Sequence, residues 1–226
     1  MLEVGAGLGF LTRSIASKCQ KVMAVESDPR LIQVLRDQLE NVSNIRIVEG
    51  NVLKIDVPPF SKVISIPPYH ISSRLIEWLF KREFDRAVLV FQREFANHLV
   101  ASVGSEDYSW LTVAVYYYLE VELLDKAPKR IFYPQPEVDS TIVLLRRKTQ
   151  HPFPLKAEAA YVRLVQSLFR NRNKKIRNAA LPFLKGICGL PGEEAVREAD
   201  ALPYSGKRAR ELAPEDFGAL ANAINR

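Results

Sequence analysis

The chain has 226 residues, 47% of them apolar and 26% charged, proportions that exclude a disordered or fibrous polypeptide. No apolar run approaches the ~20 residues of a membrane span. The first 20 residues carry glycines and charges where a secretory signal has a greasy core. Cys19 and Cys188 stand alone, without the spacing of a disulfide framework or a metal site. A soluble cytoplasmic protein without a metal is expected, and its net charge of +6 permits a polyanionic partner without establishing one.

In chain order, Met1 to Val4, Lys21 to Glu26, Asn44 to Val48, Lys62 to Ile66 and Asp85 to Phe91 are short apolar or β-branched runs that read as strands. Stretches with helical spacing separate them, so a parallel sheet covered on both faces is expected. Asp28 caps a helix with Pro29 in its first turn and Leu31, Ile32, Val34, Leu35 and Leu39 as its buried stripe. Ser72 or Ser73 caps the next, with Leu75, Ile76, Leu79 and Phe80 facing inward. Leu111 to Val121 and Val138 to Arg146 read as two strands of an antiparallel hairpin closing the sheet edge. Thr149 to Pro154 reads as a linker, and beyond it no strand signal remains: Tyr161 to Phe169 is helical, then Pro182, Pro191, Pro203 and Pro214 punctuate short helices. The expected division is therefore an α/β domain over residues 1–150 and a small all-α domain over residues 151–226. The first sixty residues are charge-balanced. Arg163 to Arg177, by contrast, carries Arg163, Arg170, Arg172, Lys174, Lys175 and Arg177 with no acid, the pattern of a phosphate-binding footprint or of a solvated helix face.

The first strand runs into Glu3-Val4-Gly5-Ala6-Gly7-Leu8-Gly9. Glycines let the chain turn tightly and bring backbone amides close to a ligand. The third glycine follows the second by two residues, not by the three of the dinucleotide fingerprint. Glu26 ends the second strand, 21 residues after Gly5, where a carboxylate accepts both hydroxyls of a ribose; the bland alternative is an acid at a helix entrance. Together with the spacing and Glu3, this favours S-adenosylmethionine over a nicotinamide, which brings a pyrophosphate to be cradled. Asn51, after the third strand, can hydrogen-bond an adenine edge. The fourth strand ends in Ser65-Ile66-Pro67-Pro68-Tyr69: a proline-held carbonyl can accept a hydrogen bond from a substrate amine while Tyr69 stacks on its ring, the alternative being a Pro-rich turn with a packed tyrosine. A base used this way must leave its stack.

Further along stand Gln92-Arg93-Glu94-Phe95-Ala96, Gly104-Ser105-Glu106-Asp107-Tyr108, and Phe132-Tyr133-Pro134-Gln135-Pro136-Glu137-Val138-Asp139-Ser140. Phe169 to Asn178 and Arg210 to Phe217 follow. With these motifs the chain resembles, over essentially its whole length, the ribosomal RNA adenine N6,N6-dimethyltransferases of the small-subunit type, nearest the archaeal and eukaryotic branch. The resemblance implies a Rossmann-like class I S-adenosylmethionine methyltransferase sheet with a small all-α C-terminal domain. It implies two methyl groups on each of two adjacent adenosines in a hairpin loop near the 3′ end of small-subunit RNA, on a pre-30S-type particle, by a monomer. By the same resemblance, cofactor contacts fall on Gly5, Gly7, Glu26, Asn51 and Ile66. The target base would be gripped by Ser65, Ile66, Pro67 and Tyr69, with Phe132 on its other face. A basic helix carrying Arg170, Arg172, Lys174, Lys175 and Arg177 would dock RNA.

Three departures carry expectations. The family has a further segment before the glycine loop that covers the cofactor, whereas Met1 lies in the first strand here, so that segment is expected to be missing. An aspartate is usual where Asn51 stands, and an asparagine where Ile66 stands; weaker cofactor binding and slower transfer are expected. A ribosome-assembly factor of the same fold with little catalysis is the alternative, followed by a methyltransferase of DNA or small molecules and, distantly, a nicotinamide oxidoreductase. His70, His98 and His151 are given no catalytic role.

Overall fold

The computed structural model describes residues 1–133 and 135–224. The five apolar runs of the first half form parallel strands, β1 (Leu2–Val4), β2 (Val22–Glu26), β3 (Ile45–Glu49), β4 (Lys62–Ser65) and β5 (Arg86–Gln92), connected through α1 (Phe10–Ala16), α2 (Pro29–Leu39) and α3 (Ser72–Phe80). After β5 come α4 (Arg93–Leu99) and α5 (Trp110–Tyr118), then β6 (Leu119–Ala127), which pairs antiparallel with β7 (Ser140–Arg147). Among the described residues these strands make one sheet in the order β3-β2-β1-β4-β5-β7-β6. The chain steps outward from β1 to β3 and then returns to β4 on the other side of β1. Such a reversal opens a crevice beyond the carboxyl ends of the strands. The register makes those ends meet: Val4 lies opposite Val25 on β2 and Ser65 on β4, and Glu26 opposite Glu49 on β3.

Helix α2 forms where the spacing places it. The Asp28 carboxylate accepts from the Arg30 amide at 2.9 Å, and the hydrogen bonds from Arg30 hold it down at about pKa 2. Ile32, Leu35 and Leu39 are buried, but Leu31 and Val34 only partly, so the stripe is narrower than expected. On α3, Leu75, Ile76, Leu79 and Phe80 face the core as expected, yet neither serine caps it: Ile71 occupies the capping position and Ser72 is itself buried. No helix among the described residues is long and apolar enough to cross a membrane.

The chain separates into two compact units, Met1–Ala96 with Leu119–Arg147, and Asn97–Tyr118 with Lys148–Arg226. The first unit contains the whole sheet. In the second, α5 packs with α6 (Glu158–Arg170), followed by α7 (Ile176–Ala179), α8 (Leu181–Gly186), α9 (Gly192–Ala201) and α10 (Pro214–Ile224). The division differs from a single cut at residue 150, because residues 97–118 group with the helices. The expected strand over Leu111 to Val121 is wrong for most of its length: Trp110–Tyr118 is helical and extended backbone starts only at Leu119. Leu111, Val113, Ala114, Val115, Tyr117 and Tyr118 are all buried, with Tyr116 alone of the run exposed, and a run buried on nearly every side carries little periodicity to distinguish helix from strand. The expected linker is also part of this core. The His151 ring stacks on Tyr117 at 4.3 Å and Phe153 packs against the same ring at 4.9 Å.

The basic run is not one helix. α6 ends at Arg170, Asn171 to Lys175 turn, and α7 restarts at Ile176. Ile176 is buried and its amide donates to Lys207 O at 2.7 Å, while Lys175 bridges Arg208; burying that one apolar side chain pulls the flanking cations into an exposed turn.

Glu3 sits in β1 at 1% exposure, and neither its Oε2 nor Thr12 Oγ1 finds a well-formed hydrogen bond. Burial pushes the carboxyl up to about 7, opposed by the neighbouring Thr12 hydroxyl and reinforced by the Glu26 charge. A raised value in the folded state means stability is greatest below the unfolded value near 4.5 and is lost as pH rises towards 7. Glu3→Gln is therefore expected to raise stability at pH 8 by ~3 kcal/mol and to leave it nearly unchanged at pH 4.5. Urea denaturation at the two pH values checks this, and equal effects at both would contradict it.

Candidate functional site

At the carboxyl ends of β1 to β4 lies a cavity of about 280 Å³ lined by Gly5, Gly7, Glu26, Asn51 and Ile66, with Leu31 and Val52 among the other walls. The five residues come from four strand ends, which the register aligns.

The glycine loop is tied to β2. The Gly5 and Ala6 amides both donate to Val25 O, at 2.9 and 3.1 Å, and the Gly7 amide donates to Glu26 Oε2 at 2.9 Å. Gly7 has φ +58°, and a Cβ placed on it would meet nothing within 4 Å; at this point the cavity is bounded by bare backbone, which a ligand can approach closely. Gly9 is required for packing: with φ +82°, an added Cβ would come within 2.6 Å of Leu35 Cδ1 on α2.

Glu26 is 8% exposed and accepts from three amides: Gly7 at Oε2, and Ser27 and Asp28 at Oε1, at 2.7 and 2.9 Å. A carboxylate has about four acceptor sites, so Glu26 holds the helix entrance and still keeps acceptor capacity on Oε2. The two readings of this acid are compatible. Asn51 is exposed; its Oδ1 accepts from Leu53 N at 3.0 Å, and its carbonyl from Lys54 N and Ile55 N. Among the described residues its Nδ2 is unengaged, so the free end of this side chain is a donor where an aspartate would present an acceptor.

The Ser65-to-Tyr69 loop abuts the glycine loop. A Cβ on Gly5 would lie 3.6 Å from Pro68 Cδ and 4.0 Å from Ile66 O. Ile66 is 41% exposed and Pro67 is buried. Ser65 corrects the expectation of an amine-holding hydroxyl: it is fully buried and its Oγ donates to Val4 O, fastening β4 to β1. The Tyr69 hydroxyl lies 3.0 Å from Ser140 Oγ on β7, which fixes its ring. Phe132, half-buried after the 3-10 turn Lys129–Ile131, does not line this cavity. Its segment is anchored by Asp139, whose carboxylate accepts from Lys129 N and whose carbonyl accepts from Arg93 N, both at 3.0 Å. Pro134 of the same motif lies outside the described residues.

Sequence reasoning missed Leu31, Val52 and His70 as cavity walls, whereas Pro68 belongs to the loop it singled out. Leu31 carried a usable signal, being in the first turn of the helix that follows Glu26; nothing local marked Val52. In the second unit Arg170, Lys174, Lys175 and Arg177 are exposed, whereas Arg172 is half-buried and donates to Glu106 O and Tyr108 O at 3.1 and 3.4 Å. Part of its guanidinium is therefore structural.

A family model described as ribosomal RNA adenine dimethylase matches residues 1–186. A protein of Methanosarcina acetivorans named "Probable ribosomal RNA small subunit methyltransferase A" is 40% identical over 224 residues, covering 99% of this chain and 82% of the relative. One of the same name in Thermococcus kodakarensis is 38% identical over 219 residues, covering 96% and 76%. Among solved structures, a dimethyladenosine transferase from Plasmodium falciparum superposes with a TM-score of 0.78 at 29% identity, covering 97% of this chain and 87% of that one. The 23S rRNA methyltransferase ErmE superposes with a TM-score of 0.66 at 30% identity, covering 100% and 90%.

Proposed function

The chain belongs to the ribosomal RNA adenine dimethylase family, and from that premise we propose that it methylates N6 of two adjacent adenosines in a hairpin loop near the 3′ end of small-subunit ribosomal RNA. It is an S-adenosylmethionine-dependent methyltransferase on a Rossmann-like sheet. The observation that supports the reading most is the convergence of Gly5, Gly7, Glu26, Asn51 and Ile66 on one cavity, with a partly free carboxylate and a bare glycine backbone at the positions an adenosine-bearing cofactor needs.

When bound there, S-adenosylmethionine supplies an electrophilic methyl group on a sulfonium. Glu26 Oε2 would accept from its ribose, the free Nδ2 of Asn51 would donate to its adenine edge, and Leu31 and Val52 would supply apolar walls. The chain's own task is then to present the target amine. An N6 lone pair is delocalised into the ring and becomes nucleophilic when acceptors hold the amino group out of the ring plane. The Ile66 carbonyl is the acceptor on this loop, since the isoleucine side chain cannot accept and Ser65 Oγ donates into the sheet. Pro67 and Pro68 hold that carbonyl in place, and Tyr69 and Phe132 offer ring faces to the base. The proton leaves N6 from an already cationic product, so no strong base is needed, and His70 at the cavity is not required as one.

The first unit is read as the catalytic domain and the second as the RNA-docking domain, acting as a monomer on a pre-30S-type particle. Replacing Arg170, Lys174, Lys175 and Arg177 together with alanine is expected to weaken subunit binding and to reduce the slope of log K against log salt by about 3. An unchanged slope would make these cations a solvated face. The main test is transfer of labelled methyl groups from S-adenosylmethionine to unmethylated small subunits, with mass spectrometry for dimethyladenosine. Bound cofactor without transfer to RNA would overturn the reading.

A further inference from the structure

Beside the basic run, the second unit carries a cavity of about 400 Å³ lined by Ser109, Trp110, Gln166, Phe169, Arg170 and Arg172. No acid is among these six. One wall is rigid: the Phe169 ring meets Tyr108 edge-on at 5.6 Å and stacks on Phe217 at 5.5 Å, and the Arg172 guanidinium is held by two backbone carbonyls. Ser109 is likewise engaged, its Oγ lying 3.3 Å from Thr112 Oγ1. Three other groups are unengaged among the described residues: the indole N–H of half-buried Trp110, the amide of half-buried Gln166, and the guanidinium of exposed Arg170.

A large aromatic face, an amide offering both a donor and an acceptor, and a free guanidinium without a neighbouring carboxylate are what an unstacked nucleotide requires: a ring to stack on, a partner for its base edge and a counter-charge for its phosphate. The carboxylates of an acidic peptide would use the guanidinium but bring no planar ring to the indole face. We propose that this cavity binds one unpaired nucleotide of the RNA, its base against Trp110 and its edge on Gln166, with Arg170 neutralising the adjacent phosphate. The proposal rests on the RNA-methyltransferase reading and adds to it a base-recognising contact in the second unit, where charge alone would recognise only backbone.

The chain has two tryptophans, so Trp78→Phe leaves Trp110 as the sole indole reporter. Decaadenylate and an abasic ribose-phosphate decamer of equal charge are titrated at fixed salt. Decaadenylate is expected to quench Trp110 emission and to bind about tenfold more tightly than the abasic chain. Trp110→Ala and, separately, Gln166→Ala should remove most of that preference without changing abasic affinity; the Gln166 change guards against a folding defect at Trp110. Equal affinity for the two decamers, an unquenched Trp110, or equal losses on both decamers would overturn the proposal. Methyl transfer to small subunits by the parent chain is measured alongside. A parent that methylates but shows no base preference loses only this proposal, whereas a parent that binds cofactor and transfers nothing to RNA loses the underlying reading as well.

Discussion

Ile66→Asn is expected to raise the rate of methyl transfer about a hundredfold, the usual effect of one positioned hydrogen-bond partner at a reacting group, while cofactor and subunit affinities stay within about twofold. The reason is local. Ile66 is 41% exposed at the cavity, so an asparagine fits without burying a polar group, and its Oδ1 adds a second acceptor beside the Ile66 carbonyl. The neighbouring hydroxyl cannot take this part, because Ser65 is fully buried and donates to Val4 O. Single-turnover transfer to small subunits separates this step from binding. A large gain would mean that the natural chain trades rate for something else, in line with the assembly-factor alternative. No gain would mean that the backbone carbonyl alone holds the amine.

Glu26→Gln is expected to weaken S-adenosylmethionine binding by ~100-fold or more, the sum of a lost charge-assisted acceptor and a misplaced loop. One carboxylate oxygen fixes the Gly7 amide and the other the Ser27 and Asp28 amides. A carboxamide turns its NH2 on one of these donor sets, so either the glycine loop or the entrance to α2 loses its partner. Calorimetry with S-adenosylmethionine and with S-adenosylhomocysteine tests this. Similar losses for both ligands are expected if, as proposed, Glu26 acts at the ribose and not at the sulfonium; an affinity within threefold of the parent would remove Glu26 from the cofactor site.

The parts of the molecule that could be read from the sequence are those whose constraint is local. The glycine loop, the Asp28 cap and the α2 and α3 stripes follow from backbone demands and periodic burial within a few residues. Where all but one residue are buried, as from Leu111 to Tyr118 with only Tyr116 exposed, the period fades and the expected strand is a helix. His151 and Phe153 looked like linker residues because their partner, Tyr117, lies far back in the chain. The basic run looked like one helix because the contact that breaks it, Ile176 with Lys207, pairs distant segments.

The amino-acid sequence by itself determined the alternation that builds a parallel sheet, the loop that only glycine conformations allow, and the strand ends bearing Glu26, Asn51 and Ile66. Short-range sterics and the periodicity of burial act before any long-range contact forms. Only the tertiary structure decided which polar atoms remain available for chemistry: Ser65 is committed to Val4, Arg172 is half committed to backbone carbonyls, and Glu26 keeps capacity at Oε2. Most buried donors and acceptors find a partner; those of Ser65 and Arg172 lie 61 residues away and 64 to 66 residues away, so this allocation is settled by the folded sheet and helices and not by any local run of sequence.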